Sequence, residues 1–189
     1  MAAMTPTCPE LEPLITRVLA ARETRTPLAI RGGGSKTFYG EAERGEVLDT
    51  RILSGVSSYE PTELVVTARC GTPLAELEAL LAAHGQCLPF EPPHFGGGAT
   101  VGGMVAAGLA GPARAAAGSV RDHVLGATLL NGRGEVLSFG GQVMKNVAGY
   151  DVSRVLAGSM GILGVILEVS LKVLPIAPAT LTLRLEMDE

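Results

Sequence analysis

Pro27-Leu28-Ala29-Ile30-Arg31-Gly32-Gly33-Gly34-Ser35-Lys36 is the stretch from which the fold can be read. Leu28, Ala29 and Ile30 form a short buried-strand pattern that runs straight into three glycines. Glycine allows positive φ and lets the main chain approach a ligand closely, and successive free N–H groups form an anion nest. Arg31, Ser35 and Lys36 add a hydroxyl and two cations at the same turn. That chemistry suits a pyrophosphate. A plain flexible turn with its charges in water is the competing reading. No G-x-G-x-x-G occurs in the chain, and Gly32 to Lys36 lacks the Walker A spacing, which disfavours a Rossmann or P-loop protein.

Working outward, helical spacing of Leu11, Leu14, Ile15, Val18 and Leu19 predicts a helix over 10–22. Short strands are predicted at 46–49 and 63–68. A helix follows, with Thr72 suited to the N-cap, Pro73 to the first helical position and Gly85 to the end. Residues 124–130 and 135–139, joined at Asn131-Gly132, read as a hairpin. Asp151 is placed to cap a short helix over 152–157 that Gly158 closes. Val165, Leu167, Val169, Leu171 and Val173 alternate on one strand face, and Leu181, Leu183, Leu185 and Met187 alternate again. Short strands mixed with helices, and no long βαβ array, argue an α+β fold.

Composition narrows the function. The chain has 189 residues and a mean hydropathy of +0.32, enough for one substantial core. A net charge of −4 and the absence of Trp argue against both a phosphate-backbone binder and a base-stacking platform. Cys8, Cys70 and Cys87 contain no C-x-x-C, and His84, His94 and His123 are scattered, so no metal site is predicted. Residues 95–113 carry no charge, but seven glycines and a proline make a membrane-spanning helix a poor fit.

Three ordered blocks carry a family resemblance. They are Pro27 to Ser35, then Ala99-Thr100-Val101-Gly102-Gly103 with Gly118 to Gly126, then Gly158-Ser159-Met160-Gly161-Ile162-Leu163-Gly164-Val165-Ile166. Together they resemble the FAD-binding domain of the vanillyl-alcohol oxidase / p-cresol methylhydroxylase (PCMH) flavoproteins. Lys145-Asn146-Val147-Ala148-Gly149-Tyr150-Asp151 is similar to the lactate- and glycolate-oxidising branch. Gly108 to Pro112, Gly118 to Asp122 and Val143 to Asn146 resemble the FAD-binding subunits of bacterial glycolate oxidases.

The resemblance implies a PCMH-type FAD-binding domain made of two α/β subdomains, covering 1–176 and dividing near residue 70. Residues 177–189 would begin a C-terminal substrate (cap) domain that is cut short. Arg31, Gly32, Gly33, Gly34, Ser35 and Lys36 would hold the FAD pyrophosphate. Val101, Gly102, Gly103, Ala107, Gly108 and Gly111, with Gly118, Ser119 and Val120, would pack against the flavin and ribityl chain. Gly164, Val165 and Ile166 would approach the adenine end. Covalent members carry a histidine where Ser35 and Lys36 stand here, so non-covalent FAD is expected. Gly108 replaces the asparagine of many relatives and removes a hydrogen bond usual in the wider family.

The function implied is oxidation of a 2-hydroxy acid such as glycolate, with electrons passing through FAD to partner subunits. Those partners would be a second flavoprotein subunit and an iron-sulfur subunit. The implied location is cytoplasmic, with peripheral attachment at the inner membrane through the partners as a variant. A non-catalytic FAD-binding or assembly module, and a sensor of nucleotide phosphates, are the alternatives. No catalytic residue is assigned. His94 reads as a solvated turn residue, His123 and Asp151 as structural, Tyr150 as a packed ring with its hydroxyl satisfied, and Cys70 and Cys87 as small core residues.

Overall fold

The computed structural model describes residues 9–141 and 150–184. Cys8, Lys145 to Gly149, Leu185 and Met187 therefore lie outside the described residues. The elements run in the order α1 (Glu12–Thr24), β1 (Leu28–Arg31), β2 (Glu46–Asp49), β3 (Val56–Glu60), β4 (Val65–Arg69), α2 (Leu74–Ala83) and β5 (Gln86–Cys87). They continue with α3 (Val101–Ala107), α4 (Arg114–Ala117), α5 (Val120–His123), β6 (Val124–Leu130), β7 (Val136–Gly140), α6 (Val152–Val155), β8 (Val165–Lys172) and β9 (Leu174–Pro175).

Two sheets organise these elements. β1 and β2 pair in parallel, joined by the long glycine-bearing connection 32–45. The larger sheet has five antiparallel strands in the order β3-β4-β8-β6-β7, and β5 pairs separately with β9. β3 and β4 precede residue 70 yet belong to the larger sheet.

β8 is the middle strand, which explains why its burial exceeds its alternation. Val169, Leu171 and Val173 are fully buried, and Ile166 and Ser170 on the opposite face are buried as well. Neighbours on both edges shield the strand, although Glu168 and Lys172 on that second face are only half-buried. Ser170 is accommodated there by a 2.9 Å hydrogen bond with Thr67 of β4. The core continues through Leu74, Leu77 and Leu81 of α2, Phe90, and Met104 and Val105 of α3.

Several sequence expectations shift for identifiable reasons. α2 begins at Leu74 with Pro73 at the cap position, not with Thr72. The Thr72 hydroxyl instead donates to the Gly55 carbonyl and accepts from the Gly55 amide, both at 3.0 Å. β3 was hidden because it is a polar edge strand with a register irregularity between Val56 and Ser58. α3 was hidden because two of its seven residues are glycine. The predicted Asn131-Gly132 hairpin forms, with the Asn131 side chain accepting from the Arg133 and Glu135 amides. Asp151 caps α6 as expected, accepting from the Arg154 amide, but Tyr150 is 96% exposed and is no packed ring. Leu181 and Leu183 are exposed and lie in no strand among the described residues.

Leu77 is fully buried at the centre of the α2 contact. Leu77→Ala should lower unfolding free energy by about 2–5 kcal/mol, read as a lower urea midpoint at unchanged slope.

Candidate functional site

The end of β1 opens into a cleft of about 530 Å³ bounded by the first glycine loop, α3 and the turn at 160–162. The Arg31 carbonyl accepts from the Thr50 amide at 2.9 Å and from its hydroxyl at 3.2 Å, which fixes where the strand stops. Gly33 then passes against the main chain of Gly98. A Cβ on Gly33 would stand 1.3 Å from the Gly98 carbonyl oxygen, so no other residue fits without moving the loop. Gly32 is similarly pressed on Thr100, whose hydroxyl oxygen would lie 2.4 Å from an added Cβ. That hydroxyl also caps α3 by accepting from the Gly103 amide.

The opposite wall is set by the C-terminal end of α3. Gly108 ends the helix at φ +64 and abuts Gly158. The Gly158 amide donates to the Val105 carbonyl at 3.0 Å, and the Met160 amide to the Ala106 carbonyl at 2.9 Å. These bonds dock the 158–164 turn on the helix and bring Met160, Gly161 and Ile162 to the cleft. A smaller cavity of about 70 Å³ adjoins it, sharing Ile30, Gly32, Gly103, Ala106, Met160 and Gly161.

Charge at the cleft is unevenly committed. Arg31 donates from both Nε, at 3.0 Å, and Nη2 to the Glu43 carboxylate. Lys36 has no carboxylate partner among the described residues. Its ammonium lies 3.4 Å from the Ser35 hydroxyl and 5.9 Å from the centre of the Phe95 ring, and partial burial pulls its pKa down. The amides of Gly32, Gly33 and Gly34 donate to no acceptor among the described residues. Cys70, on the smaller cavity, is pushed up to about 12 by burial, so its thiol stays protonated and unreactive. Among the described residues no cluster of His, Cys, Asp or Glu could hold a metal.

The predicted site residues fall into groups, with Gly32 and Gly103 shared between the cleft and the adjoining cavity. Arg31 to Lys36, Gly103 and Ala107 line the main cleft, while Gly102, Gly164 and Ile166 line the adjoining cavity. Val101, Gly108, Gly111, Gly118, Ser119, Val120 and Val165 line neither. Val101, Val120 and Val165 are core residues, and Gly111 is packed on Glu91. Sequence reasoning missed Ala106, Tyr39 and Arg44 as lining residues, which carry no local motif. His94 bonds Glu78 at 2.8 Å away from the cleft. His123 is buried between the Ala117 and Lys172 carbonyls, a structural role.

Gly118 and Ser119 belong to a cap on α5 rather than to the cleft wall. The Asp122 carboxylate accepts from the Ser119 amide at 2.8 Å and from its hydroxyl at 3.0 Å, which holds its pKa below the usual carboxylate range. A depressed folded-state pKa stabilises above the ordinary carboxylate range and loses that contribution as pH falls through the folded value. Asp122→Ala should therefore cost about 1 kcal/mol or less near neutral pH, and the difference from wild type should shrink as acid unfolding is approached.

The cleft joins free amides, a hydroxyl and an uncommitted cation at one end to Ile30, Ala106, Ala107 and Met160 along its walls. Such a cradle fits a ligand with a diphosphate and a flat, largely apolar ring. Residues 7–140 match the family described as FAD binding domain. Over 180 residues the chain is 54% identical to the Escherichia coli (strain K12) protein named glycolate oxidase subunit GlcE, covering 95% of this chain and 51% of that protein. It is 30% identical over 168 residues to D-lactate dehydrogenase (cytochrome), mitochondrial, of Arabidopsis thaliana, covering 87% of this chain and 29% of that one. It is 29% identical over 164 residues to glycolate oxidase subunit GlcD of Bacillus subtilis (strain 168), covering 85% and 35% respectively. The chain thus spans about half or less of the length of these relatives. With glycine loops built for main-chain contact and a family match over most of its length, the chain belongs to the PCMH-type FAD-binding domain family.

Proposed function

We infer that this chain binds FAD without a covalent bond and serves as the FAD-binding part of a flavin-dependent 2-hydroxy-acid oxidoreductase, with glycolate as the substrate class. The observation that carries this is the cradle at Gly32 to Lys36, which lines a cleft walled by α3 and the 160–162 turn and whose three glycine amides have no acceptor among the described residues. The names of the relatives supply the substrate class, since glycolate oxidase subunits and D-lactate dehydrogenases all act on 2-hydroxy acids. The non-covalent reading rests on the family resemblance, since covalent members often carry a histidine just after the first glycines, where Ser35 and Lys36 stand here.

Bound flavin supplies the redox chemistry, and the protein supplies position and electrostatics. The amides of Gly32 to Gly34 would hold the diphosphate, with Ser35 and Lys36 beside it. Gly103, Ala106 and Ala107 would accommodate the ring system by presenting little side chain. Gly102, Gly164 and Ile166 would shape the adjoining cavity. As part of the same proposal, 1–176 forms an FAD-binding domain of two subdomains dividing near residue 70, and 177–189 opens a further domain.

Subunit names among the relatives also support work within a multi-subunit assembly, with a second flavoprotein and an iron-sulfur subunit as the proposed partners. A cytoplasmic place, or a peripheral one at the inner membrane through those partners, is part of the same proposal. No helix among the described residues is long and apolar enough to cross a membrane.

Absorption spectra before and after acid precipitation test the cofactor. A flavin band that leaves with the supernatant is expected; a band retained in the pellet refutes the non-covalent reading, and failure to take up added FAD refutes the site. Gly33→Ala should abolish uptake while the chain stays folded, because the new Cβ would overlap the Gly98 carbonyl. Anaerobic glycolate should bleach the bound flavin. An unbleached flavin would favour the binding module without turnover.

A further inference from the structure

Phe95 belongs to the second glycine loop, 91–99, and takes no part in the flavin cradle described above. It is a bulky residue at φ +53 between His94 and Gly96, 52% exposed, a combination of strain and exposure that packing alone does not reward. Two contacts hold it. Its ring meets Phe38 edge-on with centroids 4.9 Å apart, and its face looks toward the Lys36 ammonium at 5.9 Å. Both partners come from the first glycine loop, which the Gly33–Gly98 approach already joins to the second.

The charge census gives that arrangement a purpose. Of the two cations flanking the three glycines, Arg31 is bound to Glu43 and closes the ends of the connection between β1 and β2. Lys36 has no carboxylate among the described residues, and burial rather than an anion governs its ionisation. Arg44 also lines the cleft but is exposed at its rim. A lysine stem has several freely rotating bonds, so an unpaired ammonium is poorly placed unless something restrains it. An aromatic face within about 6 Å attracts an ammonium without neutralising it. A carboxylate in the same place would compete with an incoming anion.

We propose that Phe95 is a positioning residue for the diphosphate-binding end of the cleft, holding the Lys36 ammonium in place for the ligand while Arg31 is retained by Glu43. This rests on the flavin-binding reading but assigns the work to side chains: Lys36 provides the charge, and Phe95, braced by Phe38, provides its location.

The test compares binding of ADP and adenosine by calorimetry, since the two probes differ only in the diphosphate. Lys36→Gln should weaken ADP about tenfold and leave adenosine unchanged, the scale of a charge-assisted hydrogen bond. Phe95→Leu should weaken ADP about threefold, again without affecting adenosine, and Phe95→Tyr, which keeps the aromatic face, should restore it. A merely structural role for Phe95 would weaken both probes together. Equal loss of ADP and adenosine in Phe95→Leu, or wild-type ADP affinity in Phe95→Leu or Lys36→Gln, overturns the proposal and leaves FAD binding intact. Wild-type protein that binds neither FAD nor ADP overturns the flavin reading, and the proposal falls with it.

Discussion

Main-chain contact between Gly33 and Gly98 is the constraint on which the site depends. A Cβ on Gly33 would sit inside the Gly98 carbonyl, so at this point the first and second glycine loops can meet only as bare backbone. Their meeting places Gly32 on Thr100, and Thr100 in turn caps α3. The cleft floor, the helix start and the strand end are thereby locked to one another through a few atoms. Close-packed interiors transmit such a constraint because neighbouring atoms have little room to yield.

A second layer of the same logic holds the far wall. Gly102 presses α3 on Cys70, and its amide donates to the Cys70 carbonyl at 2.7 Å. Gly108 then ends the helix where Gly158 and Met160 can hydrogen-bond back to it. α3 is helical although its glycines disfavour that state, because hydrogen bonds and contacts from β4, β8 and the 158–164 turn outweigh an intrinsic penalty of about 1 kcal/mol per glycine. The residues that make the helix intrinsically weak are those that let it lie close to its neighbours. Function and fold therefore draw on the same glycines.

Electrostatics complete the picture without a large net charge. The chain carries −4 overall, yet the cleft offers amides, Lys36 and Arg44 to an anion, with Arg31 already paired. Recognition of a diphosphate needs local donors in a sheltered concavity, and these can coexist with an acidic surface elsewhere. Exposed apolar side chains at the cleft margin, including Met160, Ile162 and Tyr39, add a rim that a ring-bearing ligand can use.

Much of this was legible locally. The run from Leu28 to Lys36 shows a strand emptying into an anion-binding turn, and Asn131-Gly132 and Asp151 announce a hairpin and a cap, because each depends on residues adjacent in the chain. Motif order was enough to recognise the family. What the tertiary structure alone decided were the pairings across long sequence separations. It placed β8 between β4 and β6, turned a glycine-rich segment into α3, committed Arg31 to Glu43 and set Phe95 over Lys36. It also sent Val101, Val120 and Val165 into the core although their motifs adjoin the cleft. Glycine and polar residues advertise permission for a close approach, but which segments take it up depends on packing between parts of the chain that no local pattern connects.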